Sequence, residues 1–129
     1  MIFDTDVLVW AARGDSRAAR VIDRTAERAL SVISLMELLQ GARSLLEGRR
    51  IRQSLAALQF RILPLSESIG GGAAALVEQY SLAHGIQVAD ALIAATAIEA
   101  GEPLCSANVK HFRPVRGLDL VAFRNTASG

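Results

Sequence analysis

The strongest constraint on this chain is an alternation. Short apolar runs exchange with longer stretches whose apolar residues recur at helical spacing. "MIF" (1–3), "LSVIS" (30–34), "FRILPL" (60–65), "PLCSA" (103–107) and "LDLVAF" (118–123) read as strands. "VLVWAAR", "DSRAARVIDRTAERA", "LMELLQGARSLL", "GRRIRQSLAALQ", "ESIGGGAAALVEQYSLAHG" and "VADALIAATAIEAG" read as helices, and "NVKHF" as a short helical turn. Gly85 and Gly101 are natural C-caps for the last two long helices. Strands alternating with helices imply an α/β fold, with a mostly parallel sheet of about five strands covered on both faces. Crossovers in such a sheet are right-handed, so the carboxyl ends of its strands share one edge, and ligands bind outside that edge. With 129 residues the chain suits a single domain, expected over 1–124, with 125–129 as a frayed tail.

Three carboxylates stand at the expected strand-to-helix junctions. Asp4 follows "MIF", Glu37 follows "LSVIS", and Asp90 opens "ALIAATA". Each has a local explanation. Asp4 or Asp6 can cap the first helix, Ser34 and Glu37 match the capping box S-x-x-E, and Asp90 can be an N-cap. All three are flanked by apolar residues, however, and the topology can bring them to one sheet edge. Carboxylates gathered there repel one another and require protonation or a counter-charge. Lys110 is the only lysine, so lysine cannot supply that charge generally. A hard divalent cation can: it takes oxygen ligands, keeps water, and leaves positions for phosphate oxygens. That chemistry serves phosphodiester hydrolysis.

"MIFDTDVLVW", "SVISLMELLQG", "VADALIAATAI" and "LCSANVKHF" together resemble the four blocks of the PIN domain, closest to the toxin ribonucleases of VapBC toxin–antitoxin systems. The resemblance covers nearly the whole chain. It implies a three-layer α/β/α Rossmann-like fold and a magnesium-dependent endoribonuclease, with manganese able to substitute. It implies Asp4, Glu37 and Asp90 as the catalytic, metal-binding acids. It further implies a homodimer, possible assembly into a larger hetero-oligomer, and a cognate antitoxin that covers the site. Many PIN domains carry a fourth acid where this chain has Asn108, an amide that can hold a metal-bound water but brings no charge. Thr5 and Ser106 are supporting residues on the same resemblance, although Thr5 also suits a helix-start hydroxyl and Ser106 a serine ending a strand, and Lys110 and Arg113, beside the fourth block, are candidates for the RNA backbone.

The other motifs weigh less. His111 has a side chain suited to general-base work, but a metal-activated water needs no protein base, so packing is its expected role. His84 complements a helix C-terminus. Arg20, Arg24 and Arg28 form a stripe, and Arg43, Arg49, Arg50 and Arg52 cluster around an expected helix–helix turn near Gly48. The run Gly70–Gly72 follows no strand and precedes no lysine, so it suits close helix packing and not phosphate binding.

Composition excludes several classes. A single cysteine, Cys105, rules out an internal disulfide and suits a reducing cytoplasm. No apolar run approaches the roughly 18 residues of a membrane span, and Asp4 and Asp6 interrupt the place where a signal peptide's apolar region would lie. The net charge of +1 announces no global nucleic-acid field. Two rival readings remain. One is a phosphatase of the haloacid dehalogenase type, with Asp4 as nucleophile and Asp6 as acid–base. The other is a non-catalytic PIN fold that only binds partners.

Overall fold

A computed structural model describes residues 1–126. In chain order the elements are β1 (Ile2–Phe3), α1 (Thr5–Ala12), α2 (Ser16–Arg24), β2 (Ala29–Ser31), α3 (Val32–Gln40), α4 (Leu45–Ala57), β3 (Arg61–Leu63), α5 (Glu67–His84), α6 (Val88–Ala100), β4 (Leu104–Ser106), α7 (Val109–Phe112) and β5 (Leu120–Ala122). The five strands pair in the order β3-β2-β1-β4-β5, every pair parallel. From β1 the chain builds outward to β2 and β3 on one side, then to β4 and β5 on the other. The crevice of this topology therefore opens at the carboxyl ends of β1 and β4.

The three layers follow from the two-residue period of the strands. Phe3, Leu30 and Cys105 face one way and pack with Val7, Leu8, Ile22, Leu35 and Leu55 from α1–α4. Ile2, Ala29 and Leu104 face the other way and meet Ile93, Ala94, Ala97 and Phe112 from α6 and α7. Helix α5 closes over the outside of α6 through Ile69, Ala73, Tyr80, Ala91 and Ala95. Helix α6 is thus buried on nearly all sides. Alanines at 91, 94 and 97 are at most 1% exposed, and their small size lets the helix approach the sheet closely. Gly72 serves the same end: a β-carbon there would lie 3.7 Å from the Ala95 β-carbon. Gly70 and Gly71 face open space.

Three boundaries differ from expectation. The strand expected over 30–34 ends at Ser31, because the Ser31 hydroxyl accepts the Ile33 N–H and starts α3 there. Ser34 and Glu37 consequently form no capping box, and Glu37 sits in the second turn of α3. Gly48 lies inside α4, whose N-cap is Ser44, so Arg49, Arg50 and Arg52 line a helix and not a turn, and Arg43 precedes its N-cap. Helix α2 stops at Arg24, which removes Arg28 from the stripe; its guanidinium instead donates to the carbonyls of Ile22, Thr25 and Leu58. Packing also continues past residue 124. Asn125 is buried, and Thr126 donates its N–H and hydroxyl to Asp15; residues 127–129 of the expected tail lie outside the described residues. No helix among the described residues is long and apolar enough to cross a membrane.

Candidate active site

Asp4 ends β1 and caps α1. Its Oδ1 accepts the Thr5 N–H at 2.8 Å, and its Oδ2 accepts the Ser106 hydroxyl, from the end of β4, at 2.7 Å. The side chain is 6% exposed, so burial raises the cost of its charge, and the neighbouring Asp6 carboxylate adds to it. These effects outweigh the two hydrogen bonds and push its pKa up to about 7, with Asp90 contributing from farther off. Asp6 is raised too, chiefly by burial, although Oδ1 accepts the Val7 N–H at 2.7 Å and Oδ2 the Ala107 N–H at 3.0 Å.

Thr5 connects this pair to α3. Its Oγ1 lies 2.7 Å from Glu37 Oε1 and 2.9 Å from Ser34 Oγ. A hydroxyl has one proton, so Thr5 donates to the carboxylate and accepts from Ser34. That contact aims an otherwise exposed glutamate. Asp90 occupies the third position of α6, with Gln87 as the N-cap. The Gln87 N–H reaches Asp90 Oδ2 at 3.2 Å, closing a capping box. His111 Nδ1 lies 3.1 Å from the same oxygen and 2.9 Å from the Asn108 amide, and the Asn108 N–H donates to Ser106 Oγ at 2.9 Å. The polar chain Asp90–His111–Asn108–Ser106–Asp4–Thr5–Glu37 is therefore continuous across β1, α1, α3, β4, α6 and α7.

The sequence-predicted acids thus converge on the crevice at the β1–β4 edge. Lys110 and Arg113 are exposed on and just after α7, the element that also carries His111. Two residues of the network were given other roles by the sequence. Asp6, read as a cap, also ties α1 to the loop after β4. His111, read as packing, touches a candidate site acid. The spacing N-x-x-H across one helical turn could have paired His111 with Asn108, but not with Asp90. Cys105, behind Asp4 and Asp6, is inert: burial and those two charges push its thiol up to about 12.

The donor set fits a hard cation. Among the described residues no Lys or Arg pairs with Asp4, Asp6, Glu37 or Asp90, while burial and the Asp6 charge hold the Asp4 pKa up. Nor do three His, Cys, Asp or Glu groups close tightly enough to cage an ion by themselves.

The family model described as "PIN domain" matches residues 1–117. Among solved structures, the chain is similar to a toxin-antitoxin complex from Klebsiella pneumoniae, at 29% identity over 94% of this chain and 95% of that one, with a TM-score of 0.80. It is similar to FitAcB from Neisseria gonorrhoeae at 25% identity, covering 95% and 96% of the two chains, with a TM-score of 0.71. It shares its fold with VapBC2 from Rickettsia felis bound to a promoter DNA fragment, at 23% identity, 96% and 100% coverage and a TM-score of 0.79. No curated protein matches it.

Proposed function

The chain belongs to the PIN domain family, and on that premise we propose that it is a metal-dependent endoribonuclease toxin of the VapC type, neutralised by a cognate antitoxin and acting in the cytoplasm. The observation that carries the reading is the cluster of Asp4, Asp6 and Asp90, which no Lys or Arg pairs with among the described residues and in which Asp4 is pushed up to about 7. A family resemblance to nucleases and a charge deficit at the crevice point to the same chemistry.

Asp4, Glu37 and Asp90 would hold the cation, Mg2+ or Mn2+. Such an ion supplies an activated water and offsets phosphoryl charge. The protein's own part is orientation. Ser106 and the Thr5 N–H fix the Asp4 carboxylate from two sides, and the Thr5 hydroxyl aims Glu37. Ser106 also accepts the Asn108 N–H, so one hydroxyl sets both Asp4 and the start of α7. Lys110 and Arg113, exposed on and just after α7, would contact the RNA backbone, which would make binding salt-dependent.

The antitoxin reading draws on the similarity to the Klebsiella pneumoniae toxin-antitoxin complex. A groove of about 830 Å³ opens beside Glu37, with Leu8, Leu38, Ile51 and Phe60 among its apolar walls and Arg13 and Arg43 on its rim. Its largely apolar lining would suit a partner's amphipathic segment. A homodimer, and assembly with the antitoxin into a larger hetero-oligomer, complete the proposal.

The test is cleavage of total cellular RNA by the purified chain freed of any partner. Cleavage is expected with Mg2+ or Mn2+, is blocked by chelator, and is lost in Asp90→Asn while the circular dichroism spectrum is retained. Attack by water leaves 5′-phosphate and 3′-hydroxyl ends; 2′,3′-cyclic phosphate ends would refute the mechanism. No cleavage and no metal binding by the wild-type chain would leave the non-catalytic binding module as the reading.

A further inference from the structure

The side of the site formed by α6 and α7 contains a support that the acids alone do not explain. Asp90 Oδ2 faces two donors at once, the Gln87 N–H at 3.2 Å and His111 Nδ1 at 3.1 Å, while Oδ1 has no donor among the described residues. The imidazole is wedged. Its Nε2 lies against the α5–α6 turn, where a β-carbon on Gly85 would come within 3.7 Å, and its Nδ1 meets the Asn108 amide at 2.9 Å. Gly85 has φ +70°, so this turn and the ring against it are set by a backbone conformation that favours glycine.

We propose that His111 is the positioning residue of Asp90, and that Asn108 serves the site through His111 instead of through the metal. This rests on the metal-dependent reading above. A carboxylate accepts, so the imidazole presents Nδ1–H to Asp90. With the proton there, the Asn108 amide serves the ring through its oxygen, reached by a half-turn about Cβ–Cγ that leaves the heavy-atom positions unchanged. One N–H is then shared between the carboxylate and the amide. The amide fixes the ring, the ring fixes Oδ2, and Oδ1 is left turned free for a ligand. Asn108 is thus not a fourth acid that has lost its charge. An aspartate at 108 would compete with Asp90 for the same N–H and add a like charge beside it.

The measurement is Mn2+ affinity by isothermal titration on the whole chain, with thermal unfolding in chelator as the folding control. His111→Phe keeps the ring volume and removes the donor; its affinity should fall roughly 10–100-fold, the usual effect of losing a hydrogen bond to a metal ligand. His111→Asn places an amide N–H near the Nδ1 position and should recover most of the loss. Asn108→Ala should weaken binding, and Asn108→Ala combined with His111→Phe should bind no worse than His111→Phe alone. If His111→Phe does not fold, His111→Leu, which also lacks the donor, takes its place in the same comparisons. Undiminished Mn2+ binding in folded His111→Phe overturns the positioning role alone. Additive losses in the double variant assign Asn108 to the metal directly and overturn its part. A wild-type chain that binds no Mn2+ overturns the metal-dependent reading and this role with it.

Discussion

The two edges of the sheet treat their carboxylates in opposite ways. At the amino edge, Glu102 lies 3.0 Å from the Arg61 guanidinium and 3.0 Å from the Met1 ammonium. Partial burial works against its charge, but these cations outweigh burial and hold the carboxyl below the ordinary range. At the carboxyl edge, Asp4 and Asp6 receive only neutral donors among the described residues, and burial holds both above it, with the Asp6 charge adding at Asp4 and the Asp90 charge at Asp6. The same residue class is therefore satisfied at one end of the strands and left wanting at the other. The first arrangement serves the fold. The second costs stability, which on the proposed reading a bound cation would offset.

Asp4→Asn is the harshest way to break that contrast. It should lower RNA cleavage on the order of 10³-fold, as removal of a central charge-stabilising group does. The same variant should melt no lower than wild type at pH 7.5 in chelator, because it removes an uncompensated buried charge. A large fall in melting temperature there would show that Asp4 is structural.

A pH series sharpens the contrast next. The Asp4 pKa is raised from 3.8 to about 7, so between those values the folded chain binds more protons than the unfolded one. Stability of the metal-free protein should therefore fall as pH rises from about 4 to 7, by about 1.4 kcal/mol for each step of one in pH, and level off above. The upper bound is on the order of 4 kcal/mol. Denaturant melts in chelator should show the decline, Asp4→Asn should make it shallower, with the part due to the raised Asp6 remaining, and a flat wild-type profile would contradict it.

Glu102→Gln is the gentlest probe. Its ion pairs are partly exposed, so it should cost about 1 kcal/mol or less in denaturant midpoint. RNA cleavage should be unchanged, since this edge is remote from the crevice. A loss of activity matching that of Asp4→Asn would erase the distinction between the edges.

Most of this architecture was legible in the sequence because it rests on periodicity. The five strands, and the ends of α5 and α6 at Gly85 and Gly101, follow from apolar spacing and from the left-handed backbone that glycine supplies. Where two local signals competed, the sequence was ambiguous. "LSVIS" is a good strand by composition, yet the Ser31 hydroxyl turns its last three residues into helix. The acids were legible because charge in an apolar setting needs an explanation. The network around them was not. Asp6 meets Ala107, and His111 meets Asp90, only once the order β1-β4 is known, and no spacing along the chain encodes that adjacency.

Helix α6 has a mechanical consequence. Its alanines touch the sheet on one side and α5 on the other, with no slack between. The helix is a ruler whose graduations are methyl groups, and Asp90 is its tip. A bulkier residue at Ala94 or Ala97 has nowhere to go except to slide or tilt the rod, carrying the carboxylate with it. The site can thus be detuned from one or two helical turns behind it, with every polar residue of the crevice intact.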